Sequence, residues 1–301
     1  MVKPFKPLLA ATVEDATKLT FPLYATPKID GIRCLLLSGG KFQPNEPKTR
    51  ALKDIPNRHI RKLLERNLPA GLDGELWIEG ATCFGDVSSG VMSGSGEPPF
   101  TFYIFDWFTQ PGGYLERMGM LNVLHERGLP AWAQVLFPTP VKTLKQLTRY
   151  EGGALGRGYE GVMLRIGHGR YKFGRSTLKE GILMKLKRFT DGEAMIIGFE
   201  EQLHNENELE QDNLGHAKRS TKKAGMKPAG TLGKLVVLDV KTQREFRIGT
   251  GRGLTAQLRD EIWKNQTHYL RWYVKYQHQA HGAKDAARIP IFLGFRSKED
   301  M

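Results

Sequence analysis

The sequence predicts an α+β fold in two domains, 1–188 and 189–301, the second a small β-barrel. Three observations carry this. Short apolar runs bounded by Gly and Pro alternate with stretches of helical period along the first 188 residues. The composition shifts after Arg188. Beyond that point five short strand candidates accompany a single helix. A chain of 301 residues, 40% of them hydrophobic, suffices for two domains of ordinary size.

In order, Glu14–Leu19 reads as a short helix. Phe21 to Pro27 is apolar and punctuated by prolines, and Cys34–Leu37 is an apolar run ending at Ser38-Gly39-Gly40, so two strands flank residues 28–33. Ile60, Leu63, Leu64 and Leu68 recur at helical spacing over Arg58–Leu68, and Pro69-Ala70-Gly71 ends that helix. Leu72–Ile78 returns to strand character. Ser88–Gly96 reads as a loop of small residues. Phe100–Phe108 is an aromatic strand with one acid, Asp106. Met118–Arg127 and Leu144–Leu155 read as helices, Glu160–Arg165 and Gly181–Lys187 as strands. In the second domain the strand candidates are Ala194–Phe199, Lys234–Val240, Arg244–Ile248, Tyr269–Tyr276 and Ile289–Phe295, with a helix at Thr255–Lys264. Five strands and one helix match a small OB-type barrel, a fold that commonly binds nucleic acid. Between its first two strands, Glu200–Lys227 is polar, acidic first and then basic. Such a segment buries too little apolar surface to order itself, and is expected to be a disordered insertion or a flap that orders on phosphates.

The net charge of +13 favours a polyanionic partner, nucleic acid first. No apolar run is long enough to span a bilayer and no basic helix has a clean apolar face, so a membrane partner is not expected. Two cysteines, Cys34 and Cys83, can make neither a disulfide framework nor a Cys-rich zinc site, which fits a reducing compartment. Met1–Pro7 is not followed by an apolar signal core, so an intracellular location is expected. A monomer is the default expectation, with no obligate protein partner evident.

The run Lys28-Ile29-Asp30-Gly31-Ile32-Arg33 reads K-x-D-G-x-R. Average residue usage puts its chance occurrence in such a chain on the order of a few in a thousand, which favours chemistry over a surface Asp-Gly turn. Lys28 falls in a strand-to-strand loop beside a core, where burial or neighbouring cations lower an amine's pKa and supply the neutral, nucleophilic form. Arg33 is a permanent cation suited to phosphate. Gly31 allows a tight turn and close approach of a ligand to the backbone. Further candidates follow in order: Arg50 in a loop, Asp73-Gly74-Glu75 opening a strand, Phe105-Asp106 within one, Glu160-Gly161 before another, Lys185 and Lys187 on one strand face, and Arg288 and Arg296 near the C-terminus.

That order resembles the covalent nucleotidyltransferase superfamily of DNA ligases, RNA ligases and RNA-capping enzymes. Leu72-Asp73-Gly74-Glu75-Leu76, Phe102 to Trp107 and Arg288 to Arg296 look most like small ATP-dependent DNA ligases of the phage and viral type. The resemblance implies a nucleotidyltransferase (adenylation) domain of antiparallel sheets flanked by helices, followed by a C-terminal OB-fold barrel. It implies ATP and Mg2+ (or Mn2+) as cofactors and nicked double-stranded DNA as partner. Lys28 would attack the α-phosphate and carry AMP. Arg33 and Glu75 would hold the ribose and nearby phosphate, and Phe105 would stack on adenine. Glu160, with Glu75, would serve a metal. Lys185 and Lys187 would contact the α-phosphate, Asp30 would assist sealing, and Arg50 would bind the 5′-phosphate at the nick. Arg288 or Arg296 would orient pyrophosphate. Lys218, Arg219, Lys222, Lys223 and Lys227 would grip DNA as a latch. Thr26 stands where many ligases carry an acid that reads the adenine amino group, which leaves the base to backbone groups. An RNA ligase, an RNA-capping guanylyltransferase and a non-catalytic nucleic-acid-binding protein stand as alternatives.

Overall fold

In the computed structural model, residues 5–40, 43–187, 189–211, 217–220, 222–249, 251, 253–279 and 287–297 are described. The chain forms two compact units that divide after residue 188.

The first unit runs β1 (Ala11–Thr12), β2 (Leu23–Pro27), β3 (Ile32–Leu37), β4 (Glu46–Thr49), α1 (Arg58–Asn67), β5 (Leu72–Ile78), α2 (Phe84–Met92), β6 (Phe100–Trp107), α3 (Tyr114–Glu126), β7 (Ala133–Val135), β8 (Thr139–Val141), α4 (Leu144–Gly156), β9 (Gly161–Arg165) and β10 (Met184–Lys187). Two five-stranded sheets result, ordered β1-β10-β9-β2-β8 and β4-β3-β5-β6-β7. Their ladders are antiparallel except at the edge pairs β1–β10 and β6–β7, which are parallel. Each sheet has its own core. Cys34, Leu36, Leu72, Leu76, Phe102 and Ile104 pack with Ile60 and Leu64 of α1, Val87 and Val91 of α2, and Leu121 of α3. Leu23, Ala25, Val162, Leu164 and Met184 pack with Leu147 and Ala154 of α4. The Leu, Ile, Val, Phe and Met side chains among them, fully buried, each contribute about 1.5–3 kcal/mol of transfer free energy. Both cysteines are buried and free.

Three local expectations are corrected. The stretch read as a small-residue loop from Ser88 is largely helix α2. Its Ser and Gly residues are poor helix formers, but tertiary contact overrides them. The Asp86 carboxylate caps the start, accepting from the Thr82 and Cys83 amides at 2.9 and 3.2 Å. Gly90 lies against Ile78, where a Cβ would come within 2.8 Å of Cγ1. The predicted helix at Glu14–Leu19 is only a 3-10 turn at Ala16–Lys18, because none of its residues is buried to draw a longer helix onto the core. Helix α3 starts one turn before the predicted Met118, with the Glu116 carboxylate accepting from the Gly113 amide at 2.5 Å.

The second unit runs β11 (Thr190–Asn205), β12 (Leu209–Gln211), β13 (Ala217–Arg219), β14 (Met226–Asp239), β15 (Glu245–Gly249), α5 (Ala256–Lys264), α6 (Gln266–Tyr269), β16 (Tyr273–Gln279) and β17 (Arg288–Arg296). The sheet order is β15-β14-β11-β16-β17, all antiparallel, and edge strands β15 and β17 contact each other to curl it into a barrel. Ile196, Leu235, Val237, Ile248, Val274 and Phe292 fill it, with Ile262 of α5. The strand expected from Tyr269 begins instead at Tyr273, since Gln266–Tyr269 is helical and Arg271 takes φ +67.

The polar segment from residue 200 is not structureless where it is described. Strands β11 and β14 run on as a two-stranded ribbon, with Leu203 opposite Pro228 and Asn205 opposite Met226. A short hairpin, β12–β13, follows. Asn207 ties the two, its Nδ2 donating to the Ser220 and Lys222 carbonyls at 2.8 and 2.9 Å. Backbone pairing supplies the order that apolar burial does not.

Candidate active site

Strand β2 ends at Pro27, and the ladder to β9 continues one step further. The Lys28 amide donates to the Gly161 carbonyl at 2.9 Å, and the Glu160 amide to the Lys28 carbonyl at 3.2 Å. This fixes the nucleophile candidate opposite the Glu160 turn. The Lys28 ammonium pairs directly with the Glu160 carboxylate, whose other oxygen accepts from Lys187 Nζ at 3.2 Å. Burial works to raise the Glu160 pKa, but Lys28 and Lys187 outweigh it and hold the carboxyl below its ordinary value. Lys185 and Lys187 do share one face of β10, with Met184 and Leu186 in the core behind them. Burial, then Lys187 and Lys28, lower the Lys185 pKa.

Lys28 opens into a cavity of about 230 Å³ within the first unit. Thr26, Arg33, Arg50, Glu75, Phe105 and Lys185 all line it, so the structure gathers most of the predicted nucleotide-site residues around one space. Asp30 lies on the same loop as Lys28. At Gly31 the backbone makes a close approach to β5: a Cβ there would sit 2.3 Å from the Leu76 carbonyl oxygen and 2.8 Å from Glu75 Cγ. Glu75 lies opposite Arg33 in the β3–β5 ladder. Burial, opposed by Lys28 and Arg33 and assisted by Asp73 and Asp30, pushes the Glu75 pKa up to about 7.

A pH signature follows. Glu75 binds its proton more tightly in the folded chain than in the unfolded one, so wild-type stability falls as pH rises from about 4.5 to about 7. Glu75→Gln removes that loss. Without nucleotide, the variant should melt about 5 °C above wild type at pH 8, with the gap closing towards pH 5 in thermal unfolding. A gap independent of pH would contradict the assignment.

Sequence reasoning gave no role to the residues that hold these groups in place. Arg33 is clamped by Asp73, Nε to Oδ1 at 2.7 Å and Nη2 to Oδ2 at 2.5 Å, and the Tyr171 hydroxyl donates to the same carboxylate at 2.7 Å. Burial opposes the Arg33 charge, yet Asp73 more than offsets it and raises its pKa. The Phe105 ring has two guanidiniums near it, Arg33 at 5.3 Å and Arg165 at 5.8 Å from its centroid. Arg165, also on the cavity wall, is bound through Nη1 to Asp106 Oδ2 at 2.5 Å. Asp106 is shared with Arg117, whose Nε lies 2.6 Å from Oδ1, and all three side chains are buried. Burial raises the Asp106 pKa, but Arg165 and Arg117 prevail and lower it. One signal was available for Arg165: period-two alternation along β9 puts it on the face of Met163, a fellow lining residue.

Arg288 and Arg296 lie in the second unit, on β17, where Arg296 sits 3.9 Å from Glu193. Arg219, Lys222, Lys223 and Lys227 are exposed around the ribbon and hairpin. Lys227 pairs with Glu206 at 2.5 Å, and Arg219 donates to the Asn207 carbonyl at 2.5 Å. The side chain of Lys218 lies outside the described residues, as do residues 298–301 at the C-terminus. Among the described residues no three His, Cys, Asp or Glu side chains converge on a metal position, and no helix is long and apolar enough to cross a membrane.

A cationic cavity built around an amine, in a two-sheet unit followed by a five-stranded barrel, defines a nucleotidyltransferase domain with an OB-like domain. Comparison with known proteins makes this specific. A family model described as "DNA ligase OB-like domain" matches residues 225–296. A Chlorella virus DNA ligase-adenylate structure is similar at 37% identity, over 98% of this chain and 99% of that one, with a TM-score of 0.55. A second Chlorella virus DNA ligase-adenylate gives 35% identity over 97% and 99%, also at 0.55. A Lig E DNA ligase shares the fold at a TM-score of 0.72 and 23% identity, over 97% and 99%. No curated protein matches. The chain belongs to the DNA ligase family. Membership decides against the RNA-ligase, capping and non-catalytic readings that the motifs left open.

Proposed function

We propose that this ligase seals nicks in duplex DNA at the expense of ATP, with Lys28 as the covalent carrier of AMP. The supporting observation is the cavity that places the Lys28 amine among Arg33, Glu75, Phe105, Arg165 and Lys185. ATP is a substrate, consumed once per turnover. Phe105, with Arg33 and Arg165 near its ring, offers a face for adenine, with Thr26 on the same cavity lining. Arg33 and Glu75 lie together for the ribose and its phosphate. Lys185 and Lys187 offset charge that develops on the α-phosphate.

In the first transfer the Lys28 nitrogen bonds to the α-phosphorus as the α–β linkage breaks, and pyrophosphate leaves. AMP then passes to the 5′-phosphate of the nick, with Arg50 as its anchor. Finally the 3′-hydroxyl displaces AMP, assisted by Asp30, and the strand is continuous. Arg288 or Arg296 would orient pyrophosphate. The carboxylates present do not make a resident metal cage; one or two of them beside phosphate oxygens fit a magnesium or manganese ion that arrives with nucleotide. Glu160 and Glu75 would hold that ion, which would neutralise phosphate charge.

The test is intact-mass spectrometry with Mg2+ and either ATP or GTP, followed by sealing of a nicked duplex. An AMP adduct from ATP and a sealed strand are expected. A GMP adduct, or none, would sink this reading.

The exposed Lys222 and Lys223 support a second element, a DNA-gripping latch at the ribbon. Replacing both by Ala should weaken nicked-duplex binding and flatten its dependence on salt by about 2 in log–log slope, leaving AMP loading unchanged. An unchanged slope in a titration from low to moderate salt would rule the latch out.

A further inference from the structure

The start of helix α1 runs against the ordinary rules of helix charge, whereas Arg66 in its last turn obeys them. Its first turn carries no acid and begins with Arg58, although a cation there opposes the helix dipole. Arg58, Lys62 and Arg66 follow one another at intervals of four, about 6 Å apart along the axis. Like charges at this spacing each cost a few tenths of a kcal/mol. All three are exposed, and none makes an ion pair among the described residues. The nearby Glu65 is taken by Arg61 at 3.6 Å.

This ridge forms one wall of an open groove of about 400 Å³. The opposite wall is the backbone of Gly94-Ser95-Gly96, where a Cβ added to either glycine would meet nothing within 4 Å. The single acid lining the groove, Glu97, faces His59 at 3.8 Å. Asn57, fully buried, caps α1 by accepting from the Ile60 amide at 3.0 Å, and its Nδ2 lies 3.3–3.4 Å from the Gly90, Ser95 and Gly96 carbonyls. Both walls therefore hang on one side chain. Arg50, on the catalytic cavity, precedes this helix by only a short turn.

We propose that this groove is a second DNA-binding surface, which takes backbone phosphates of the duplex flanking the nick on Arg58, Lys62 and Arg66. The proposal rests on the ligase reading. It gives the unpaired cations a partner, and it explains why the helix tolerates a charge pattern that weakens it. Three phosphate contacts correspond to a log–log salt slope of about 2.7.

The experiment is R58Q/K62Q/R66Q in the full chain, compared with wild type for AMP loading, thermal stability and nicked-duplex affinity across a salt series. Expected are a loss of affinity of about tenfold or more at low salt, a slope shallower by 2 to 3, unchanged AMP loading and an equal or higher melting temperature. An unchanged slope overturns the proposal, as does a variant that loses AMP loading or melts earlier, since the ridge would then be structural. A wild-type chain that failed to load AMP or to bind nicked duplex would instead overturn the ligase reading itself.

Discussion

Lys28→Ala, incubated with ATP and Mg2+, should keep its unmodified mass and seal no nick from ATP. The effect is all-or-none because no second amine stands at the end of β2: Lys185 and Lys187 project from β10, across the ladder. A nick that already carries AMP on its 5′-phosphate bypasses the first two transfers, so the variant should still seal it, at a reduced rate. The fold should survive, since Glu160 keeps Lys187 as a partner. Sealing from ATP at the wild-type rate would refute the nucleophile. Failure on the pre-adenylylated nick would mean that Lys28 also serves the last step.

Asp106→Ala should be the most damaging single change to stability. It removes the one carboxylate that Arg117 and Arg165 share, with side chains 1% and 5% exposed, and leaves two buried guanidiniums without that counter-ion. Breaking a buried pair in this way costs about 3–5 kcal/mol, a large part of the stability of an ordinary domain. The melting temperature should drop by about 10 °C or more. Arg117→Met is the control. Asp106 then retains Arg165, the methionine fills the volume, and the loss should be clearly smaller. Equal losses in the two variants would mean that volume, not charge, is what matters there. Because Arg165 also flanks Phe105, Asp106→Ala should raise the KM for ATP in whatever fraction stays folded.

These two residues show what was legible in the sequence and what was not. Lys28 was visible because its spacing to Asp30, Gly31 and Arg33 is local. Glu75, Phe105, Glu160, Lys185 and Lys187 stood out through their order along the chain and their places on or beside strands, an order that resembles a known superfamily. Asp106 was visible only as an acid in an apolar run. Its partners lie 11 and 59 residues further on, and nothing in the chain announces the pairing. The Asp73 clamp on Arg33 is hidden for the same reason, since its geometry exists only once β3 lies on β5. Helix α2 was misread because its Gly and Ser content speaks against helix, while the Ile78 side chain that accommodates Gly90 is twelve residues away. The ribbon was not legible because composition reports burial, whereas its order comes from cross-strand hydrogen bonds.

Gly31 gears two parts of the catalytic cavity together. The loop that carries Lys28 rests, with no side chain between, on the β5 backbone beside Glu75. A methyl group at Gly31 meets a carbonyl oxygen, which cannot swing aside as a side-chain tip could. Displacing the loop therefore means displacing the strand, and with it Glu75 on the cavity wall. Any redesign of this enzyme towards another nucleotide has to treat the Lys28 loop and β5 as a single moving part, since neither can be retuned while the other stays put.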